Sequence, residues 1–501
     1  MKRLDLVLVN PGDRNAIYQS LGSQLAAVES PVWAGMIAEF IRNRGISVSV
    51  VDAAAEELTP EETAESIASI DPFLTAVIVY GHQPSASTQN MPAAGAVCKA
   101  LKERAPNLKV LLVGGHVAAL PERTLREEAA DFVSGGEGPY TILELLYVLK
   151  STSAQSYDYS KVCGLYYWDG EIMKSNPPAP LIKDLDRELP GIAWDLLPME
   201  RYRAHNWHCF GDLRRQPYAA LYTTLGCPYH CSFCCIQAPF KNGEKMLGYR
   251  ETVNSYRSWS PQSVIAQIDK LVNEHGVRNI KIEDEMFVLN YKHVGAICDS
   301  IIKRGYNLNI WAYARVDTVK PQILDKLKRA GFNWLALGIE SESDYVRDGV
   351  DKNFGKHEIK AVVRAIQDAG INVIGNYIFG LPDDTRETMQ ATLDMALDLN
   401  CEFANFYSAM AYPGSQLYHM AVREGWTLPE TWSGYSQHSV NTLPLPTKYL
   451  SAAEVLRFRD HAFQVYFDSP RYLDMVTRKF GLETSQHIRE MASYKLERQY
   501  A

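Results

Sequence analysis

The chain reads as an α/β protein made of two sheet-based domains in series. Two observations predict this: a strand–helix rhythm runs through the first third, and it resumes after residue 215 beyond a proline-rich interruption. A third observation places the chemistry. Three cysteines sit in one short loop directly after the first strand of the second domain. We therefore expect a doubly wound, Rossmann-like domain over 1–150, a linker with a β-hairpin over 151–215, a partial (β/α)6 TIM barrel over 216–412 and a helical C-terminal cap over 413–501.

In the first domain, apolar runs of strand length fall at 4–9, 47–51, 75–80, 110–113 and 131–133. Amphipathic helical patterns separate them at 32–44, 60–69, 91–105, 121–128 and 140–150. Such a sheet binds ligands at the carboxyl ends of its strands. The residues there are Asn10-Pro11-Gly12, Gly81-His82, Gly114-Gly115-His116 and Gly135-Gly136-Glu137-Gly138. Glycine at successive strand ends lets backbone approach a large planar or phosphate-bearing ligand, although tight turns in an ordinary parallel sheet need the same residue. The first strand is not followed by Gly-x-Gly-x-x-Gly, which disfavours a dinucleotide site.

The linker reads as a hairpin at 163–167 and 171–173 around Asp169-Gly170, followed by Asn176-Pro177-Pro178 and Leu189-Pro190. Barrel strands follow at 219–224, 279–283, 310–315, 334–339, 372–379 and 403–410, with helices at 261–274, 291–304, 321–330, 356–369 and 386–398. Barrel chemistry belongs at the carboxyl ends of strands. The polar groups there are Glu283-Asp284-Glu285, Arg315 with Asp317, Glu340-Ser341-Glu342 and the turn at Gly380. The C-terminal segment is helical at 452–468 and 470–480, ends in a polar tail and is read as a cap over the barrel mouth.

Bulk properties narrow the class. A formal charge of −8 argues against a general nucleic-acid binder. No apolar run reaches membrane-spanning length. Met1-Lys2-Arg3 leads into a strand-like segment rather than a signal peptide, and nine cysteines in a chain this long are too few for a disulfide scaffold. A cytoplasmic enzyme is expected, acting on a small molecule as a monomer or weak dimer.

Cys227, Cys231 and Cys234 stand in the loop after the first barrel strand, and Gly226 and Pro228 keep that loop out of a regular helix. A cubane cluster is usually held by four thiolates, so three leave one iron open. An open metal position marks catalysis rather than structure. Zinc is the competing reading, with His230 as a badly placed fourth ligand; Cys235 is read as a packed thiol, with replacement of Cys234 as the alternative.

The spacing Cys-x3-Cys-x-aromatic-Cys, with Phe233 at the aromatic position, resembles the radical S-adenosylmethionine (SAM) superfamily. The resemblance implies a [4Fe–4S] cluster whose open iron chelates SAM, and an external one-electron reductant. It also implies SAM contacts from Phe233, Glu283, Asp284, Glu285, Arg315, Glu340, Ser341 and Gly380. A doubly wound domain placed ahead of such a barrel resembles the cobalamin-binding domain of B12-dependent radical SAM enzymes. On that resemblance Asn10, Pro11, Gly12, His82, Gly114, Gly115, His116, Gly135, Gly136, Glu137 and Gly138 face cobalamin. Asp-x-His-x-x-Gly, which supplies a histidine to cobalt in other cobalamin proteins, is absent: Asp13 is followed by Arg14 and Asn15. The first domain holds only one cysteine, Cys98, so the second cluster of the methylthiotransferases is excluded. The implied activity is methyl transfer from methylcobalamin to an unactivated carbon, or to a phosphinate phosphorus. The alternative is an oxidative cyclase or ring-rearranging enzyme that transfers no methyl group. A non-catalytic cobalamin sensor, or a related enzyme without B12, would keep the fold and lose these products.

Overall fold

The structure, a computed structural model, describes residues 3–12, 19, 26–151, 157–212 and 214–501. The Asp13-Arg14-Asn15 segment lies outside the described residues.

The first sheet is built from β1 (Leu6–Asn10), β2 (Val48–Asp52), β3 (Leu74–Val79), β4 (Val110–Gly114) and β5 (Phe132–Ser134), all parallel, in the order β2-β1-β3-β4-β5. Side-chain alternation explains the two layers. Leu6 and Leu8 pack with the helices Val32–Arg42 and Pro139–Lys150. Val7 and Val9 pack on the other face, with Pro60–Ile70 and Met91–Arg104. The chain order reverses between β1 and β3, so a ligand crevice forms outside their carboxyl ends. The hairpin expected in the linker extends this sheet instead: β6 (Leu165–Asp169) pairs antiparallel with β5, and β7 (Ile172–Ser175) closes the edge. Tyr166 and Tyr167 supply the in-register partners of Val133 and Phe132.

The second sheet contains β8 (Tyr218–Leu221), β11 (Asn279–Ile282), β12 (Asn309–Arg315), β13 (Phe332–Glu340), β14 (Asn372–Phe379) and β15 (Phe403–Ser408). These six parallel strands run in sequence order and form the partial barrel. A short ribbon, β9 (Thr224–Leu225) with β10 (Arg257–Ser258), brackets the cysteine loop. Trp207, Phe210, Trp334 and Phe480 stack edge to face and ring on ring at the amino-terminal end of the strands, which closes the barrel floor.

The C-terminal segment corrects the expected cap. Residues 413–449 stand at the mouth, where Leu417 N donates to Ser232 O and Leu445 N donates to Ala409 O, and Val455 of the next helix packs on Gly380 there. The helix Ala452–Phe467 runs beside β15, with Arg459 Nε on Phe406 O and Tyr466 OH on Cys401 O. Pro470–Phe480 passes to the floor, where Tyr472 OH donates to Glu402 O. The supposed polar tail carries a further helix, Leu482–Ser493, which buries Ile488, Met491 and Ala492. Its apolar residues are too sparse to signal a helix until the barrel floor supplies their partners.

Candidate cluster, SAM and cobalamin site

The cysteine loop takes its shape from three anchors. Gly226 has φ +85°, and a Cβ there would lie 2.3 Å from Ser255 O, so no side chain fits. Gln237 Oε1 accepts from Cys227 N at 3.0 Å, while Ser232 N donates to Val350 O at 3.1 Å. Cys227, Cys231 and Cys234 thereby line one cavity of about 260 Å³ at the barrel mouth, together with Phe233, Glu285, Arg315, Glu340 and Lys352. Among the described residues no three His, Cys, Asp or Glu groups converge on a single ion. Cys235 and the carboxylates of Glu285 and Glu340 line the same cavity, and the three thiols of the loop suit a cluster in which each sulfur takes its own iron. Cys235 also borders a smaller cavity of about 30 Å³ with Trp33, Tyr80 and Gly115, between the two domains.

The acidic triplet divides three ways, because consecutive residues at a strand end point in different directions. Only Glu285 faces the cysteines; burial raises its carboxyl to about 7. Asp284 accepts from Thr223 N and Thr224 N at 2.6 and 3.0 Å and from both threonine hydroxyls, which fixes the chain entering the cysteine loop. Glu283 turns into a buried ion pair with Lys281 at 3.2 Å, where burial pushes its carboxyl up and the ammonium pulls it back down. The expected SAM contacts of Glu283 and Asp284 are therefore corrected: both carboxylates are committed elsewhere.

Arg315 lies against the Cys231 sulfur rather than free in the cavity. Its Nη1 is 3.5 Å from Cys231 Sγ, Nε donates to Asp317 at 2.8 Å, and the guanidinium sits 4.2 Å over Tyr229. Glu340 pairs with Lys352 and holds φ +64°, unusual for a residue with a side chain. The register shift between Gly338 and Glu340 places that strain beside the cavity. Ser341 is buried, with Oγ 3.2 Å from Thr392 Oγ1, and it fixes the helix Arg386–Leu399 instead of facing the cavity. Gly380 is likewise a structural turn. Its N–H donates to Asp384 Oδ2 and a Cβ would lie 2.4 Å from Val455; Ile378 and Ala409 line the cavity there.

The crevice at the β1/β3 switch point is lined by Asn10, Pro11, Gly12, Trp33, Tyr80, Gly81, His82 and His205. Asn10 is held there by Nδ2 on Asp52 Oδ1 at 2.7 Å. Gly115 opens toward the interdomain cavity, with nothing closer than Ser87 at 3.6 Å from a Cβ. The crevice lies where this fold binds ligands and meets the cysteine cavity through Gln89, the place where cobalamin is expected. None of the other expected contacts lines these two cavities. Gly114 is required because a Cβ would lie 2.1 Å from Val79 O, and His116 is packed against Thr88 and Trp432. Gly135 and Gly138 pack on Tyr166 and Val113, and Gly136 faces Pro239 O at 3.9 Å. Glu137 is an interdomain tie: Oε1 is 2.8 Å from Arg257 Nη2, and Oε2 accepts from Ile182 N at 2.9 Å.

A third cavity of about 620 Å³ fills the barrel lumen. It shares Gln83, Gln89, Tyr313, Asn376, Tyr407 and Gln437 with the cysteine cavity, and His82 and His205 with the crevice. The wall between crevice and lumen is a buried polar network. Lys281 Nζ donates to His82 O at 2.8 Å and lies 3.6 Å from Glu29, which also accepts from Tyr218 OH. Burial, with the neighbouring Lys281 ammonium, lowers His82 to about 4; burial lowers His205 to about 3; both rings are neutral near pH 7. Sequence reading missed this network. A lysine between two isoleucines on a predicted strand was its one legible sign.

Residues 19–146 match the B12 binding domain family, and residues 221–396 match the Radical SAM superfamily. An uncharacterized methyltransferase of Pyrococcus horikoshii is 28% identical over 474 residues, covering 94% of each chain. An anaerobic magnesium-protoporphyrin IX monomethyl ester cyclase of Cereibacter sphaeroides is 29% identical over 423 residues, 82% of this chain and 63% of that protein. Among solved structures, the radical SAM methyltransferase TsrM of Kitasatospora setae, with cobalamin and a [4Fe–4S] cluster bound, superposes with a TM-score of 0.67 at 16% identity. The match covers 98% of this chain and 100% of that one, and it shows a shared fold. No helix among the described residues is long and apolar enough to cross a membrane.

Proposed function

We propose that this chain, a cobalamin-dependent radical SAM enzyme with a [4Fe–4S] cluster, SAM and cobalamin as cofactors, methylates an unactivated carbon, or a phosphinate phosphorus, of a small-molecule biosynthetic intermediate. One observation carries the reading: the lumen cavity shares lining residues with both the cysteine cavity and the cobalamin crevice, so one substrate in it lies beside both cofactors. When bound, the cluster and SAM supply hydrogen abstraction from an unreactive position, and cobalamin supplies a transferable methyl group.

The protein's part is holding, aligning and drying the reactants. Cys227, Cys231 and Cys234 hold the cluster. Glu285 supplies a carboxylate for the SAM ammonium, and Lys352 supplies a cation for its carboxylate. Arg315 donates to the Cys231 sulfur and offsets negative charge there. Asn10, Gly12, Gly81 and Gly115 border the corrin. The neutral His82 and His205 rings separate the crevice from the lumen without adding charge. The magnesium-protoporphyrin cyclase likeness keeps a second reading, oxidative cyclisation without methyl transfer.

The test is anaerobic reconstitution with trideuteromethyl-SAM and a metabolite extract. Methylation yields a product in which one CD3 replaces one hydrogen, with S-adenosylhomocysteine and 5′-deoxyadenosine in equal amounts. Formation of 5′-deoxyadenosine without S-adenosylhomocysteine would instead establish the cyclase reading.

A further inference from the structure

The end of the lumen cavity remote from the cysteines reaches solvent between His461 and Lys495, both exposed. Just inside that opening lies Arg459, only 5% exposed. Its Nε donates to Phe406 O and its Nη1 to Asp460 Oδ1 at 2.7 Å. Among the described residues Nη2 donates to nothing. Asp460 does not neutralise this corner. Arg498 grips both of its oxygens, at 2.9 Å each, so one carboxylate serves two guanidiniums, and Lys495 adds a third cation at the rim. A buried guanidinium with an unused N–H, in a locally cationic wall, is a site for an oxyanion.

A second observation points the same way. Trp311 is 3% exposed and lines the same cavity, and its indole N–H has no partner. Indole donates only, so its unmet demand is for an acceptor. Around it Trp207, Phe403 and Phe463 offer apolar faces. The cavity volume, about 620 Å³, is that of a site for a whole small molecule rather than a solvent pore.

We propose that Arg459 anchors a carboxylate or phosphate of the substrate at the lumen entrance. The apolar body of that substrate lies on Trp207, Trp311 and Phe403, and its reacting position points to the Tyr407–Gln437 boundary with the cysteine cavity. The substrate class is thus an amphiphilic anion, entering apolar end first. This rests on the lumen being the substrate chamber, as methyl transfer requires.

The test uses the reconstituted holoenzyme and three probes of one shape: 2-naphthoate, 2-naphthyl phosphate and the neutral 2-naphthamide, with binding read by tryptophan quenching and equilibrium dialysis. At least one anion binds roughly tenfold or more tightly than the amide, as a charge-assisted buried hydrogen bond demands. Which anion binds tighter identifies the group as carboxylate or phosphate. Arg459→Gln removes the preference, and Arg459→Lys keeps part of it. Because Arg459 also supports Phe406 and Asp460, two further variants leave that frame alone: Lys495→Gln weakens the anions selectively, and Ala336→Phe fills the chamber and weakens all three probes. Equal binding of acids and amide, selectivity that survives Arg459→Gln, or no binding of any probe overturns the proposal. The readout needs no turnover, so its failure is separable from failure of methyl transfer: anion selectivity without any methylated product would sink only the latter.

Discussion

Glu137→Ala separates a ligand contact from a structural tie. Glu137 is 6% exposed and Arg257 is 9% exposed, so the pair is out of water. Truncation leaves the Arg257 guanidinium, among the described residues, with the Ile182 carbonyl and the face of Phe240, 4.9 Å from the ring centroid. It also strips Ile182 N of its acceptor. Breaking one partner of a buried ion pair costs about 3–5 kcal/mol, because the remaining charge stays buried and unpaired. Glu137→Gln keeps an acceptor for Ile182 N and loses only the charge, so it costs less, about 1.5–3 kcal/mol. Glu137→Leu with Arg257→Met removes both charges and returns to within about 1 kcal/mol of the parent. The assay is urea unfolding followed by tryptophan fluorescence, with cobalamin affinity measured in parallel below the transition. A loss under about 1 kcal/mol for Glu137→Ala, or a double variant no better than the single one, would refute the tie. Reduced cobalamin affinity with unchanged stability would return Glu137 to the cofactor.

Three further outcomes follow from the same geometry. Cys227→Ala, Cys231→Ala and Cys234→Ala each lose cluster iron and its visible absorbance on anaerobic reconstitution, while Cys235→Ala keeps both; iron content checks this. Arg315→Met removes a cation 3.5 Å from Cys231 Sγ and disfavours the more negative reduced cluster. Its potential falls by on the order of 100 mV in an EPR-monitored titration, and Arg315→Lys falls less. Asp52 is buried against Asn10 and Tyr202, and burial raises its carboxyl to about 6. A raised acid favours folding only while protonated, so stability is lost as pH rises between the unfolded value and about 6. Asp52→Asn removes that loss and gains on the parent from pH 4 to pH 7, by up to about 3 kcal/mol in denaturant melts.

Much of the fold was legible because it rests on local pattern. Strand and helix boundaries shift by only a few residues, since apolar period and flanking turns are carried by the segments themselves. The hairpin Leu165–Asp169 and Ile172–Ser175 was visible too, but not its pairing with β5, which depends on a strand thirty residues earlier. The helix Leu482–Ser493 was missed because its apolar residues are spaced thinly, and only the barrel floor gives them partners.

The sequence by itself determined the cysteine spacing and the βα order of both domains, because each depends on residues close together in the chain, and the family resemblance they carry implied the cofactors. Only the tertiary structure decided which side chains face them. Glu283, Asp284 and Glu285 are neighbours in sequence, yet one joins Lys281, one braces the threonines and one meets the cysteines. Glu137 pairs with Arg257, which lies far along the chain and across the domain interface. Arg459, distant from both motifs, entered the site because its helix passes the lumen entrance. A charge finds its role through the partner that desolvates with it, and that partner is chosen by the fold.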